Sequence, residues 1–338
     1  MSNNWCDEVW LLIDSLTFGG IETHVVELAH GLKQANVSVK VLLLRRYQQQ
    51  SLVADKLSDA KIQVEFLDTE GHYFRTLLSR IRQQPPTVIH CHGYKASLIG
   101  KAMRLLTGVA QISTYHAGET PTGKVWLYDL FDRYSAFISC HSIAVSNKVA
   151  AKVKAKAVVF NNFVSVDSTQ PADGEQISFV GRLSYEKAPD RFIELAQLNP
   201  ALSFDVYGSG PMENELQACC VNNVCFHGHQ SHMDSIWPSI GLLIICSRFE
   251  GLPMTALEAM SRGIVVISLD VGNMSQLIEH RRNGYIASSM AQLQQSIHQY
   301  LSLTPTERQS LKDNAITTVN HHYSPQAVIP QIRQLYSC

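Results

Sequence analysis

Two glutamates, Glu250 and Glu258, lie in the stretch Ser247–Gly263, SRFEGLPMTALEAMSRG. The apolar run LLIIC leads into it, a glycine-bearing turn follows, and then a helical pattern begins, so it reads as strand, loop and helix start. Pro253 suits the first helical position, where its missing N–H would be unsatisfied anyway. The N–H groups of Met254, Thr255 and their neighbours then point out of the helix mouth. That mouth carries partial positive charge and can seat phosphate or sugar oxygens. Glu250 sits in the loop at the mouth, followed by Gly251 and Leu252. Glu258 is about 7–8 Å further along the helix axis at about 1.5 Å per residue. Carboxylates so spaced contact different parts of one extended ligand rather than share a proton. Each can accept two hydroxyl donors, and the vicinal diol of a ribose or hexose supplies such a pair. A surface helix with two solvated glutamates is the plain alternative, and the pair alone does not choose between them.

Two further stretches follow apolar strands. Gly181-Arg182-Leu183-Ser184-Tyr185-Glu186-Lys187 comes directly after ISFV. Cations at a strand's C-terminal end suit a diphosphate: arginine grips two oxygens at once and lysine acts as a point charge. Its ordinary reading is a cationic helix start. In Tyr207-Gly208-Ser209-Gly210-Pro211 the glycines let the backbone approach a nucleotide closely. In the first half, His90-Cys91-His92 invites a metal reading, because alternate strand residues share a side. Only two imidazoles are offered there, without further ligands spaced for a closed site, so no metal is expected.

The elements that must position these residues alternate. Candidate strands in the first half are Val9–Ile13, Val39–Leu44, Gln63–Leu67, Thr87–Cys91, Ala110–Thr114, Ile138–Val145 and Ala157–Phe160. Those in the second are Ile177–Val180, Ser203–Tyr207, Val224–His227, Leu242–Cys246 and Ile264–Ser268. Between them run helical patterns, such as Ile21, Val25, Leu28, Ala29 and Leu32 on one face. Near-continuous apolar strands alternating with helices predict parallel sheets covered on both faces, in two doubly wound units. Apolar residues thin out over Ser165–Gln176, where Pro171 and Gly174 interrupt any element. The predicted organisation is 1–168, 169–323 and a terminal helix within 324–338.

The order of these motifs resembles that of a known family. Gly181–Lys187, Tyr207–Pro211, Val224–Gly228 (VCFHG), the Glu250/Glu258 spacing and Glu258–Gly263 (EAMSRG) are similar to motifs of the retaining family 4 glycosyltransferases of GT-B fold, also described as glycosyl transferases group 1. Phe18–Glu22, Val88–His92, Thr114–His116 and Ala144–Ser146 agree with the first half of that family. The resemblance implies an α/β GT-B fold: two Rossmann-like doubly wound domains facing across a cleft, with the C-terminal helix crossing back to the first. It implies transfer of a sugar from a nucleotide-diphosphate sugar, with retention of configuration, to an acceptor such as a lipid-linked or polysaccharide glycan. Glu250 matches the glutamate that contacts the sugar, and Glu258 the one that holds the ribose. Arg182 and Lys187 match the cations that neutralise the diphosphate, so no metal or other cofactor is implied. Gly19 and Gly20 match a loop near the diphosphate and acceptor, and His116 a histidine that reaches the donor sugar. Gly208, Gly251, Leu252, Pro253, Met254 and Thr255 complete the implied donor site. Ala188 departs from a usual glycine, Val265 from a proline, and Asn273 and Gln276 from a glycine and a glutamate. A sugar-nucleotide epimerase and a non-catalytic nucleotide-sugar sensor stand as alternatives.

Composition narrows the class. The formal net charge of −1 gives no support to a nucleic-acid partner. The first residues lack a basic segment followed by an apolar one, and no apolar run is long enough to cross a bilayer, so a cytoplasmic protein is expected. Residues 1–168 carry 18 Lys+Arg and 14 Asp+Glu, and the remainder 10 and 15, which gives +4 and −5. Tyr73–Arg82 and Tyr94–Leu106 are basic and amphipathic. They read as two ordinary helices with solvated cationic faces, or as a peripheral contact with anionic lipid at the inner face of the membrane. Of the eight cysteines several, such as Cys140 and Cys246, sit inside apolar runs and read as buried free thiols, and no disulfide framework is expected.

Overall fold

The computed structural model describes residues 8–16, 18–47, 51–68, 72–116, 123–166, 171–219 and 221–337. The chain forms two compact units, Met1–Phe163 with Pro325–Cys338, and Val164–Ser324. The predicted junction at residues 168 and 169 lies outside the described residues.

Unit 1 holds seven parallel strands: β1 Val9–Ile13, β2 Val39–Leu43, β3 Gln63–Phe66, β4 Val88–His92, β5 Ala110–Tyr115, β6 His141–Ala144 and β7 Ala157–Val159. Its helices are α1 Gly20–Gln34, α2 Leu52–Asp59, α3 Tyr73–Gln83, α4 Tyr94–Thr107, α5 Lys124–Tyr134 and α6 Asn147–Ala150. The strand order is β3-β2-β1-β4-β5-β6-β7. Successive strands are laid outward from β1 on one side and from β4 on the other. The crevice of such a sheet opens outside the C-terminal ends of the strands at this reversal. Val9, Leu11 and Ile13 of β1 pack with Val25, Leu28, Ala29 and Leu32 of α1 in one core.

Unit 2 holds six parallel strands: β8 Gln176–Val180, β9 Phe204–Tyr207, β10 Val224–Gly228, β11 Ile240–Ile245, β12 Val265–Leu269 and β13 Gly284–Ala287. Their order is β10-β9-β8-β11-β12-β13, so the reversal falls between β8 and β11. Its helices are α7 Pro189–Leu198, α8 Glu213–Ala218, α9 Met254–Ser261, α10 Met274–Leu277, α11 Met290–Leu301 and α12 Pro305–His322. Thr304 and Glu307 form a capping box that starts α12, where Pro305 opens the first turn. The last helix, α13 Pro325–Leu335, belongs to unit 1. Its Val328, Ile329 and Ile332 enter the α1 core, and a Cβ at Gly31 would fall 2.7 Å from Ile329, so α1 is cut back to admit it.

Three sequence expectations need correction. Ile138–Val145 is not one strand: residues 136–138 form a 3-10 turn and only His141–Ala144 pairs in the sheet. An apolar run carries no period by which to separate the two. Pro253 is not the first helical residue but the cap before it, with ψ 132 in the extended range. Its fixed φ of −68 suits either place. Of the cationic side chains assigned to solvent on Tyr94–Leu106, Lys101 is instead turned inward, only 2% exposed, and pairs with Asp132 of α5 at 2.6 Å. Cys91 and Cys246 are free and buried, and burial pushes both thiols up to about 12. Cys6, Cys220 and Cys338 lie outside the described residues.

Candidate active site

In unit 2 the two loops at the strand reversal are laced together. The β11–α9 loop donates the Arg248 and Phe249 N–H groups to the Glu186 carbonyl, at 2.8 and 3.3 Å. Arg248 also reaches across to Asp190 with both guanidinium ends, at 2.8 and 2.5 Å, and stacks on Tyr185. That contact holds the Asp190 carboxyl below the usual carboxylate range. Within this frame Lys187 Nζ donates to both Glu250 oxygens, at 2.6 and 2.8 Å. The Ser247 hydroxyl donates to Glu250 Oε1 at 2.8 Å. The Glu250 side chain is 7% exposed and that of Lys187 33%, so the carboxylate is buried and the ammonium half-buried. The Lys187–Glu250 contact, which the sequence does not announce, joins two residues 63 apart in the chain.

Arg182 is exposed and makes no ion pair among the described residues. Gly208 packs its Cα against the Gly181 carbonyl. A Cβ there would fall 1.9 Å from that oxygen, and its φ of 138 excludes ordinary side chains. The Leu183 N–H donates to the Ser209 carbonyl at 3.0 Å, so the Gly181–Lys187 and Tyr207–Pro211 loops form one platform. Gly251 accepts from the Asn273 N–H at 2.7 Å, which brings the β12–α10 loop to the same place. Asn273 Nδ2 is buried without a partner among the described residues. Leu252 and Met254 enter the hydrophobic core beneath α9, and Thr255 follows on its first turn. Glu258 lies on α9, and its carbonyl accepts from Arg262 at 2.9 Å, which steadies the end of that helix. Ser247, which opens the Ser247–Gly263 stretch, and Asn273, marked in the sequence only as a departure from a glycine, are the positions that sequence reasoning does not assign to the site; both side chains are uncharged.

In unit 1 the reversal point gathers histidines. His92 ends β4 opposite Ile13 of β1, and His116 follows β5 directly. His92 Nδ1 lies 3.2 Å from His116 Nε2. His24, from α1, sets its ring 4.9 Å from that of His116 and 5.5 Å from that of His92. His90 is held by Tyr336 at 2.9 Å and Thr114 at 2.6 Å. Burial drives all four imidazoles toward the neutral form: His24 is lowered to about 4 and His90 to about 3, and His92 and His116 fall well below the ordinary value. The count of two imidazoles was therefore incomplete. One nitrogen from each of His24, His92 and His116 lies within 4.8 Å of the others, a set a transition metal could use. The His92–His116 hydrogen bond uses one nitrogen of each of two of these rings. Gly19 caps α1 and Gly20 opens it. Burial raises the Glu22 pKa, against the opposing pull of its own backbone, the Ser15 hydroxyl and the Gly19 backbone.

Two family models match the chain, and together they run through both units. "Glycosyltransferase Family 4" matches residues 18–167, and "Glycosyl transferases group 1" matches residues 162–318. The chain belongs to the family 4, group 1 glycosyltransferases. Among curated relatives it is 23% identical to the lipopolysaccharide 1,6-galactosyltransferase of Escherichia coli, over 80% of this chain and 81% of that one. An uncharacterized glycosyltransferase of Methanocaldococcus jannaschii is 26% identical over 58% of this chain, which spans 61% of the archaeal protein. The solved structure of Anabaena HepE in complex with UDP-glucose superposes with a TM-score of 0.82 at 16% identity, covering 98% of this glycosyltransferase and 99% of that chain. That likeness establishes the GT-B fold.

Proposed function

We propose that this glycosyltransferase takes a sugar from a nucleotide-diphosphate donor and transfers it, with retention of configuration, to a glycan or lipid-linked acceptor. The single observation that carries the reading is the Lys187–Glu250 pair at the C-terminal ends of β8 and β11. It supplies a cation for the diphosphate and a carboxylate for sugar hydroxyls at one point of a ligand crevice. Arg182, exposed on the same loop, adds the fork that grips two phosphoryl oxygens. The first N–H groups of α9, at Met254 and Thr255, face the same charge, because a helix start has no intrahelical acceptors for them. Gly208 and Gly181, already in backbone contact, leave room for the nucleotide, and Glu258 receives the ribose hydroxyls.

In this reaction the bond between the anomeric carbon and the donor's distal phosphate oxygen breaks, and that oxygen takes the electron pair. The acceptor hydroxyl oxygen bonds to the anomeric carbon on the same face and yields its proton to the departing phosphate. Negative charge grows on the phosphate as the bond lengthens, so Arg182 and Lys187 stabilise the transition state more than the bound donor. Two fixed cations there take the part a metal ion plays in other transferases, and the reaction needs none. His116, neutral by burial, can donate or accept one hydrogen bond at a sugar hydroxyl. Gly19 and Gly20, at the start of α1, present backbone N–H groups for the diphosphate or the acceptor. The homologous galactosyltransferase of lipopolysaccharide, and a Campylobacter jejuni relative named for an undecaprenol-linked glycan, support a glycan or lipid-linked acceptor.

A panel of nucleotide sugars tests the reading, with free nucleoside diphosphate followed with and without glycan acceptors. One donor should be hydrolysed slowly alone and consumed faster with an acceptor. EDTA should leave that rate unchanged, and a loss restored by zinc would instead give the His24, His92 and His116 trio a metal role. A chain that binds a nucleotide sugar but never releases the diphosphate would be a sensor, and the proposal would fail.

A further inference from the structure

Helix α5 is built inside out. Its carboxylates, Asp129 and Asp132, face inward at 9% and 3% exposure, and Asp132 pairs with the buried Lys101 ammonium. On the opposite side Leu127, Phe131 and Tyr134, spaced i, i+4 and i+7, form one outward stripe. Phe131 is 61% exposed, and Trp126 and Tyr128 flank the stripe. Phe137 in the 3-10 turn and Leu105 and Leu106 at the end of α4, on elements that contact α5, are exposed as well. No α5 side chain joins any of the hydrophobic cores among the described residues. So many large apolar side chains left exposed on one helix and the elements beside it point to a binding face rather than a scattering of exposed leucines.

We propose that α5 and the turn after it form a docking face for an anionic lipid surface, a property independent of the transfer chemistry. The charge beside the patch selects the occupant. From Arg133 to Val166 the chain carries Arg133, Lys148, Lys152, Lys154 and Lys156 and not one aspartate or glutamate. That basic stretch meets α5 at Lys154: its N–H donates to the Arg133 carbonyl at 3.3 Å, and its Nζ stands 5.7 Å from the centre of the Tyr134 ring, while Arg133 itself pairs with Asp129. Lys148, Lys154 and Lys156 are exposed. A helix with aromatic residues on one face and lysines at its edge lies in the plane of a membrane interface. Its rings sit at headgroup depth, and its ammonium groups reach lipid phosphates. A second copy of the chain fits less well, since a self-complementary contact would set the same lysines near one another. The two basic helices that the sequence singles out, α3 and α4, contribute only the end of α4.

The test is co-sedimentation of the full chain with vesicles of phosphatidylcholine alone or mixed with phosphatidylglycerol. Mixed vesicles should capture the protein about tenfold better than neutral ones, and added salt should release it. Trp126 emission should shift to the blue on capture, and Trp126→Phe should abolish the shift. Leu127→Ser with Phe131→Ser should cut capture about tenfold with an unchanged thermal melt. Lys154→Glu with Lys156→Glu should do the same should the first pair misfold. Equal capture of wild type and both double variants would overturn the proposal. So would a dimer in sedimentation velocity that Leu127→Ser and Phe131→Ser disperse while wild type ignores both vesicles.

Discussion

Lys187 and Glu250 hold each other through two hydrogen bonds, so neither can be removed without altering the charge state around the other. Lys187→Ala and Arg182→Ala are each expected to lower turnover about 10²–10³-fold, the usual cost of losing one group that stabilises a developing anion. The fold should persist, as a circular dichroism melt would check. Lys187→Ala combined with Glu250→Ala should cost far less than the sum of the two single losses, because the residues act as a unit. Additive losses in a double-mutant cycle would mean that they act independently. A second residue-scale expectation concerns Ala188, which adopts φ 54 and ψ 51 at the cap of α7, fully buried. A non-glycine residue there costs about 1–2 kcal/mol, offset in part by the entropy of a glycine. Ala188→Gly should therefore stabilise by about 0.5–1 kcal/mol, raising Tm by about 1–4 °C. A lower Tm would contradict that reading of the turn. The glycine that the family resemblance implies at this position now has a physical reason in the backbone.

At the scale of elements, the platform under the diphosphate depends on two loops touching through backbone. Gly208→Ala places a methyl 1.9 Å from the Gly181 carbonyl at a φ that alanine resists, so the loops must part. Donor affinity should fall at least about tenfold, with a loss of stability on the order of 1–3 kcal/mol. Calorimetric titration with the donor and a thermal melt would check both, and a variant that binds normally would sink the platform. Much of this layer is legible in the sequence, because parallel strands buried on both faces appear as unbroken apolar runs. Strand β13, Gly284–Ala287, escapes notice because GYIA is short and opens on a glycine. His24 escapes because it falls within the helical period of α1 like any other residue. Only the fold brings it to β4 and β5. Helix α5 offers aromatic residues at helical spacing that resemble a core face, and only burial reveals that this face looks outward.

The whole molecule repeats one device, a doubly wound sheet whose strand order reverses where the candidate residues gather. The device is electrostatically opposite in its two uses: charged and paired at Lys187 and Glu250, neutral and buried at the histidines. The histidines make stability depend on pH. Their folded pKa values lie below the unfolded value of 6.5, so below that pH the unfolded chain binds protons that the native chain refuses. Stability is complete above pH 6.5 and is lost as pH falls toward about 4 for His24 and about 3 for His90. At about pH 5 each of these two should cost about 2 kcal/mol. Urea unfolding at neutral and acid pH would check this, and a flat profile would contradict it. The +4 and −5 split between the chain's halves, visible in the sequence, takes on meaning at this scale beside the basic stretch near α5.

The central claim is that the strand reversal of unit 2 seats a pyrophosphate. A crystal structure of the chain with the nucleotide sugar it hydrolyses tests it most directly. The diphosphate oxygens should lie within hydrogen-bond distance of Arg182 and Lys187, with the ribose hydroxyls on Glu258. A donor bound away from the loops after β8 and β11, or bound there with both cations turned aside, would contradict the account.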